Sequence, residues 1–361
     1  MIIHRRALFL LSLTACDRPK YADGECASDA DPCAGSPYTT LAWSEEFEGP
    51  QPGEDPACFT RTPLCVVRLD WPGHATNCVS PTNFAGLADL DKCTWKLWDG
   101  YSFWGDWPNG GKLAYTPEQV SVSDGALHLS LRRRLPAEGG LCGPVSGADP
   151  LSNGYYGTDC AWVSGGIDSS GGNGIPGRNL KNGRLEIRAR LPDGRGLYPA
   201  LWTWASPAGG GSPYVNPDPV LWAGEYDLLE STTDESGRID AFQTYHDWGF
   251  DPTSHAMKPS GSIFLEPGVW YTFAVERYDD RVVFSVDDCL THEVEAGERD
   301  LRFNDLAQYV ILNLAVENPV IDAGGVNALD GSTLDVDWVR VYEKTASAKS
   351  SFFATPGIEA D

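Results

Sequence analysis

The sequence predicts an all-β fold, an antiparallel β-sandwich, and three observations carry that expectation. Apolar and polar residues alternate with period two in segment after segment. Turn-forming residues separate those segments, with 39 Gly and 26 Pro along the 361 residues. No helical run is long enough to serve as a crossover between parallel strands. Apolar residues make up 42% of the chain, enough for a sizeable core.

Taken in order, the elements begin with a segment that does not belong to the fold. Arg5 and Arg6 precede the apolar run Ala7-Leu-Phe-Leu-Leu-Ser-Leu, followed by Leu13-Thr-Ala-Cys16. This is a charged region and an apolar stretch too short to span a membrane as a mature helix. Leu13-Thr-Ala-Cys16 resembles the bacterial lipobox, so residues 1–15 read as a lipoprotein signal peptide and Cys16 as the lipid-attachment site. An ordinary secretory signal cleaved nearby is the alternative. Either way the chain is expected to be exported, and the lipobox places it on a membrane by its N-terminal anchor. Residues 16–40 read as a tether and 41–344 as one domain, with a polar tail over 345–361.

Within the domain, Gln119–Ser123 alternates, turns at Asp124-Gly125, and alternates again over Ala126–Arg132. Arg184–Leu191, Arg281–Asp287 and Thr333–Tyr342 follow the same rule. The stretch of about 50–110 is rich in Cys, Pro and Trp with little periodicity, and reads as a disulfide-pinned insertion from the sandwich.

The net charge of −24 argues against a polyanionic partner. Nucleic acid or a heavily sulfated polymer would meet repulsion and gain no counterion release. Nine Cys follow Cys16, eight of them between residues 26 and 160, at spacings that read as disulfides of an oxidising compartment. Local pairs such as Cys26 with Cys33 and Cys142 with Cys160 are plausible, but spacing does not fix connectivity. Cys289 stands apart and reads as a buried free thiol. No C-x-x-C pair occurs, so a zinc cluster is weakly supported.

The chemistry-bearing segment is Gly224-Glu-Tyr-Asp-Leu-Leu-Glu230. On a regular strand Glu225 and Asp227 share a face, whereas Glu230, five positions from Glu225, points the other way. One extra residue in a β-bulge restores parity and brings all three carboxylates to one face. Glycoside hydrolysis with retention needs two carboxyl groups about 5–5.5 Å apart. Five residues of flat strand span roughly 16 Å, so bulge, curvature and side-chain convergence must close the gap. Asp227 between the two would raise the proton affinity of a neighbour and keep one Glu protonated as the acid. A solvated strand face, or carboxylates around a calcium ion, is the competing explanation of the motif alone.

Gly224-Glu-Tyr-Asp-Leu-Leu-Glu230 closely resembles the bulged E-x-D-x-x-E signature of glycoside hydrolase family 16, and of its bacterial laminarinases in particular. The similarity continues in order through Leu41–Phe47, Asn182–Trp202, Thr244–Gly249, Ile311–Val316 and Leu334–Tyr342. It implies a jelly-roll sandwich with a concave substrate cleft. It also implies Glu225 as nucleophile, Glu230 as acid/base and Asp227 as the assisting carboxylate. By position Trp202 and Tyr198 would stack on sugar rings, a role that flat apolar ring faces suit. His246 would sit near the acid/base, with Arg184 and Trp222 as further substrate contacts. Many members hold a structural calcium, and Glu46 and Asp337 match those positions with oxygen ligands of the right kind. Tyr198 stands where Trp is usual, and Asn109–Tyr115 departs from the family's N-N-E-L-Q-Y.

The resemblance therefore implies a monomeric, retaining endo-β-1,3-glucanase or a relative acting on another neutral β-glycan. No cofactor for catalysis and no nucleic-acid partner are expected. A transglycosylase or an agarase on the same fold is the alternative. A non-catalytic glycan-binding lipoprotein is the reading from a different class, disfavoured because both Glu are present.

Overall fold

Alternation decides which side of each strand is buried. In Gly183–Arg190 the side chains of Leu185, Ile187 and Ala189 share the core-facing side and are buried, while Arg188 and Arg190 on the opposite face are half-buried. The computed structural model describes residues 36–52, 54–60, 64–68, 76–79, 86–101, 113–133, 162–170, 179–180, 183–205, 224–233, 237–247, 256–295, 308–317 and 329–344. Cys16, Trp222, the stretch 206–219 and the tail after 344 lie outside these residues.

Two sheets enclose the core. Among the described residues the outer sheet has eight strands, and its central Gly183–Arg190 pairs with Trp270–Arg277 on one side and Thr333–Lys344 on the other. The far edge of Thr333–Lys344 is shared by Ala126–Ser130 near its start and Tyr38–Glu45 near its end. The hairpin expected at Asp124-Gly125 is present, pairing Ser123 with Ala126. Both turn residues have positive φ, 53° and 74°, as a two-residue type I′ turn demands.

The inner sheet, fourteen strands among the described residues, carries the motif residues. Its centre runs, strand beside strand, from the edge strand Ala256–Pro259 through the histidine strand Ile239–Asp247 to the acid strand Gly224–Thr233. It continues through the tryptophan strand Leu197–Ala205, the asparagine strand Gln308–Val316 and the short Gly166–Asp168. Leu201, Tyr226, Leu228, Leu229, Tyr245, Leu312 and Leu314 of these strands are buried in one core cluster with Leu185, Ile187, Val339 and Val341 of the outer sheet. Among the described residues the helical content is one α turn at Pro56–Thr60 and one 3-10 turn at Pro117–Gln119, and no helix is long and apolar enough to cross a membrane.

Two expectations need correction. Lys96–Tyr101 does not leave the sandwich, because it pairs with Gly166–Asp168 in the inner sheet. Leu97 and Trp98 are both buried, so a strand covered on two faces shows no alternation to read. The sheets are antiparallel as expected, and among the described residues two short contacts are parallel, Leu64–Arg68 with Lys96–Tyr101 and Leu113–Tyr115 with Trp162–Ser164. Cys289 is disulfide-bonded rather than free. Cys58 pairs with Cys93 at an S–S distance of 2.01 Å, pinning the segment before Lys96 across 35 positions of chain.

Candidate active site

The acid strand is bulged at the place parity requires. On the tryptophan strand Leu201 faces Leu229 and Trp202 faces Asp227, so Leu228 has no partner of its own in that ladder. On the other side Thr244 faces Asp227 and Phe242 faces Glu230, so one residue, Gln243, spans the two leucines. Phe242 and Thr244 share a face, and their partners Glu230 and Asp227 therefore share it too. Both leucines are fully buried, so the one residue the bulge inserts is accommodated on the core side.

Cross-strand register then lays three rows across the acid face of the inner sheet. The first holds Met257, His246, Glu225, Trp204 and Tyr309. The second holds Pro259, Thr244, Asp227, Trp202, Ile311 and Asp168. The third holds Phe242, Glu230, Ala200, Asn313 and Gly166. Two half-buried glutamates thus flank a row containing a fully buried aspartate.

Hydrogen bonds tie the acids together. Asp227 is hydrogen-bonded to Glu225, a contact between two carboxyl groups that needs a proton. His246 Nε2 lies 2.9 Å from Asp227 Oδ2, close enough for charge pairing but without the alignment of a hydrogen bond. Tyr198 Oη donates to Glu230 Oε1 at 3.0 Å. Burial raises the pKa of Asp227 well above the carboxylate range, and the nearby Glu230 charge adds to it, while the Glu225 bond works the other way. Burial also raises Glu230, opposed by the Tyr198 hydroxyl and by His246. Both shifts favour the protonated carboxyl, the form an acid catalyst on a glycosidic oxygen needs.

Trp202 is half-buried on the acid face, beside Asp227, with Nε1 donating to Asn313 Oδ1 at 2.8 Å. Asn313 Nδ2 in turn donates to Tyr115 Oη at 3.1 Å. Tyr115 packs edge-on against Trp98, ring centroids 5.0 Å apart, and Trp98 Nε1 donates to Asp168 Oδ2 at 2.9 Å. Gly166 lies beneath these rings, and a Cβ there would stand 2.7 Å from Trp98 Cε3. This relay fixes the Trp202 indole from the floor of the sheet. Sequence reasoning missed Asn313, Tyr115 and Trp98 as parts of the site. The detectable signal was Asn313, a polar residue in the apolar run Ile311–Val316.

The other expected contacts fall elsewhere. Tyr198 is only 4% exposed, its ring packed edge-on against Phe242, so it positions Glu230 rather than offering a face to sugar. Arg184 is on the outer sheet and 1% exposed. Its guanidinium bonds Glu186, Glu276 and Asp288 at 2.7, 2.5 and 2.7 Å, which makes it a buried structural cation and not a cleft residue. Glu46 and Asp337 do not fit a calcium ion as placed. Glu46 takes a two-pronged contact from Arg340 at 2.9 and 2.8 Å, and Asp337 is paired with Arg188. Guanidinium groups occupy the oxygens a cation would need.

No family model matches the chain. Among curated proteins it is similar to glucan endo-1,3-beta-glucosidase A1 of Niallia circulans, 26% identical over 279 residues, covering 71% of this chain and 36% of that protein. The chain thus spans about a third of the length of that relative. Among solved structures, the laminarinase catalytic domain of Thermotoga maritima superposes with a TM-score of 0.54 at 21% identity, over 85% of this chain and 99% of that one. A structure from work on endo-acting O-glycanases that initiate mucin breakdown, from the human gut microbiota, superposes with a TM-score of 0.58 at 21% identity, over 86% and 92%. In sequence the chain is similar to that glucan endo-1,3-beta-glucosidase, and in fold it is similar to the laminarinase catalytic domain.

Proposed function

We infer that this laminarinase-like chain is a retaining, endo-acting glycoside hydrolase that cleaves a β-glucan, above all one with β-1,3 links. The observation that carries the reading is the bulge at Leu228, which turns Glu225, Asp227 and Glu230 to one face of the inner sheet. Glu225 attacks the anomeric carbon while Glu230, protonated, gives its proton to the departing glycosidic oxygen. That step leaves a glycosyl ester on Glu225. Glu230, now a carboxylate, takes a proton from water as the water attacks the same carbon and releases Glu225. Asp227 holds Glu225 through their shared proton, since three carboxyls this close and this buried do not all ionise together. Trp202 supplies the sugar-facing ring beside Asp227. A neutral glucan also avoids the repulsion that the charge of −24 imposes on a polyanion.

Reducing-sugar release from laminarin, lichenan, agarose and carrageenan tests the reading. Activity on laminarin that disappears in Glu225→Gln and Glu230→Gln, with folding intact, is the expected result. Activity on agarose alone would reassign the substrate, and silence on all four would overturn the hydrolase reading. We also propose that Cys16 carries a lipid that holds the protein at a membrane surface. Cys16→Ser should release it to the soluble fraction, and continued acylation of that variant would refute the proposal.

A further inference from the structure

The bulge takes one residue out of register and must be held, because nothing in a β ladder fixes where an extra residue sits. Gln243 is the residue opposite it. In the histidine strand, Ala241, Gln243 and Tyr245 turn to the core, while Phe242 and His246 face the cleft side. A glutamine at 1% exposure among apolar neighbours has a strong demand for partners. Its Nε2 donates to Leu228 O at 2.9 Å, the carbonyl of the inserted residue, and to Ser285 O of the outer sheet at 3.3 Å. Its Oε1 accepts from Thr291 Oγ1, also of the outer sheet. Its backbone is held as well, with Gln243 N donating to Ser260 Oγ at 3.0 Å and Ser260 N to Gln243 O at 2.7 Å.

We propose that Gln243 is a positioning residue of the active site, a clamp that fastens the bulge to the outer sheet and so sets the spacing of Glu225, Asp227 and Glu230. The clamp acts from the core side and touches no substrate. Its primary amide is suited to the task, since one nitrogen serves two carbonyls on two sheets while the oxygen takes the threonine hydroxyl. The orientation is thereby unique, and the Leu228 carbonyl is drawn toward the core, which turns the next cleft-facing side chain, Glu230, back to the acid face. Slippage by one residue would send Glu230 to the core face and separate the two glutamates.

The proposal rests on the hydrolase reading for its kinetic test but not for its structural one. Gln243→Leu keeps the shape and removes both donors. It should lower kcat on laminarin by about ten- to a hundredfold, the range for a catalytic group displaced by about an ångström, while KM stays within about twofold. The basic limb of the pH–rate profile should move as well, because a relaxed bulge changes the surroundings of Glu230 and its distance from Asp227. Thr291→Val should act in the same direction and more weakly, and the double variant should be no worse than Gln243→Leu alone. Amide exchange gives a readout free of activity: protection over residues 228–230 should fall in Gln243→Leu while the outer-sheet amides of 183–190 keep theirs. A kcat within twofold of the parent with an unmoved pH profile would overturn the clamp, as would unchanged exchange at the bulge. A parent protein inactive on every glucan would count against the hydrolase reading alone, and exchange would then decide the clamp. Should Gln243→Leu fail to fold, Thr291→Val is read by the same three measurements.

Discussion

Removing one hydroxyl should shift the pH range of activity, and the structure sets both the sign and the size. Tyr198 Oη donates to Glu230 Oε1 at 3.0 Å, and the Tyr198 ring is otherwise packed against Phe242. Tyr198→Phe therefore deletes the bond and keeps the packing. A hydrogen bond to a charged acceptor is worth roughly 1.5–3 kcal/mol, against about 1 kcal/mol to a neutral one. Losing it disfavours the Glu230 carboxylate relative to the acid by about 1 kcal/mol. The bond opposes the upward push of burial on Glu230, so its loss leaves that push less checked. The acid is needed in its protonated form, so activity should persist to higher pH. With roughly 1.4 kcal/mol per pH unit, the basic limb of kcat/KM on laminarin should move up by about 0.7 of a unit. The assay is initial rate against pH for both proteins at fixed ionic strength, with thermal unfolding as the control for fold. A basic limb that stays in place, or moves to lower pH, would refute the assignment of Glu230 as the acid held by Tyr198.

Three further outcomes are expected. Trp202→Ala should raise KM for laminarin about five- to thirtyfold, the equivalent of about 1–2 kcal/mol of lost ring contact, with a smaller effect on kcat; equal KM values for the two proteins would remove Trp202 from the sugar-facing surface. Glu45 is buried, takes hydrogen bonds from Phe47 N and Trp95 Nε1 at 3.0 Å each, and is pushed up to about 8 chiefly by burial. The folded protein holds that proton more tightly than the unfolded chain. The stability it contributes is thus complete below the ordinary value of 4.5 and is lost as pH rises toward about 8. Tm should fall across that window, and Glu45→Gln should flatten the slope; an unchanged slope in the variant would contradict the assignment. Replacing Cys58 and Cys93 by Ser opens a loop of 35 positions and should cost about 3–4 kcal/mol, seen as a Tm lower by on the order of 5–10 °C, with no drop at all as the contrary result.

Where burial follows alternation, the sequence was readable in detail. The odd spacing of Glu225 and Glu230 required a bulge, and the ladders on both sides place it at Leu228 and Leu229. Asp124-Gly125 announced its own turn, because few residue pairs accept two positive φ angles in succession. What stayed hidden depended on depth and on which sheet a strand joins. Parity puts Tyr198 and Trp202 on the same face, yet only packing against Phe242 reveals that one ring is covered. Arg184 alternates correctly with Leu185 and Ile187, but no local pattern says that its strand lies in the sheet away from the carboxylates. Glu46 and Asp337 carry ligand oxygens in the right places of the chain, and the arginines that occupy them come from elsewhere in it. Gln243 left a faint trace, an amide among inward apolar residues, whose partners come from the neighbouring strand and the opposite sheet.

The configuration of the first product separates a double displacement on Glu225 from a single displacement by water. Proton NMR during hydrolysis of a laminari-oligosaccharide distinguishes the α from the β anomer before mutarotation mixes them. Two glutamates brought together by the bulge, with Glu225 forming a glycosyl ester and Glu230 serving as acid and then base, release the β anomer first. Release of the α anomer first would mean a single displacement by water, and would contradict both the nucleophile role of Glu225 and the acid/base role of Glu230.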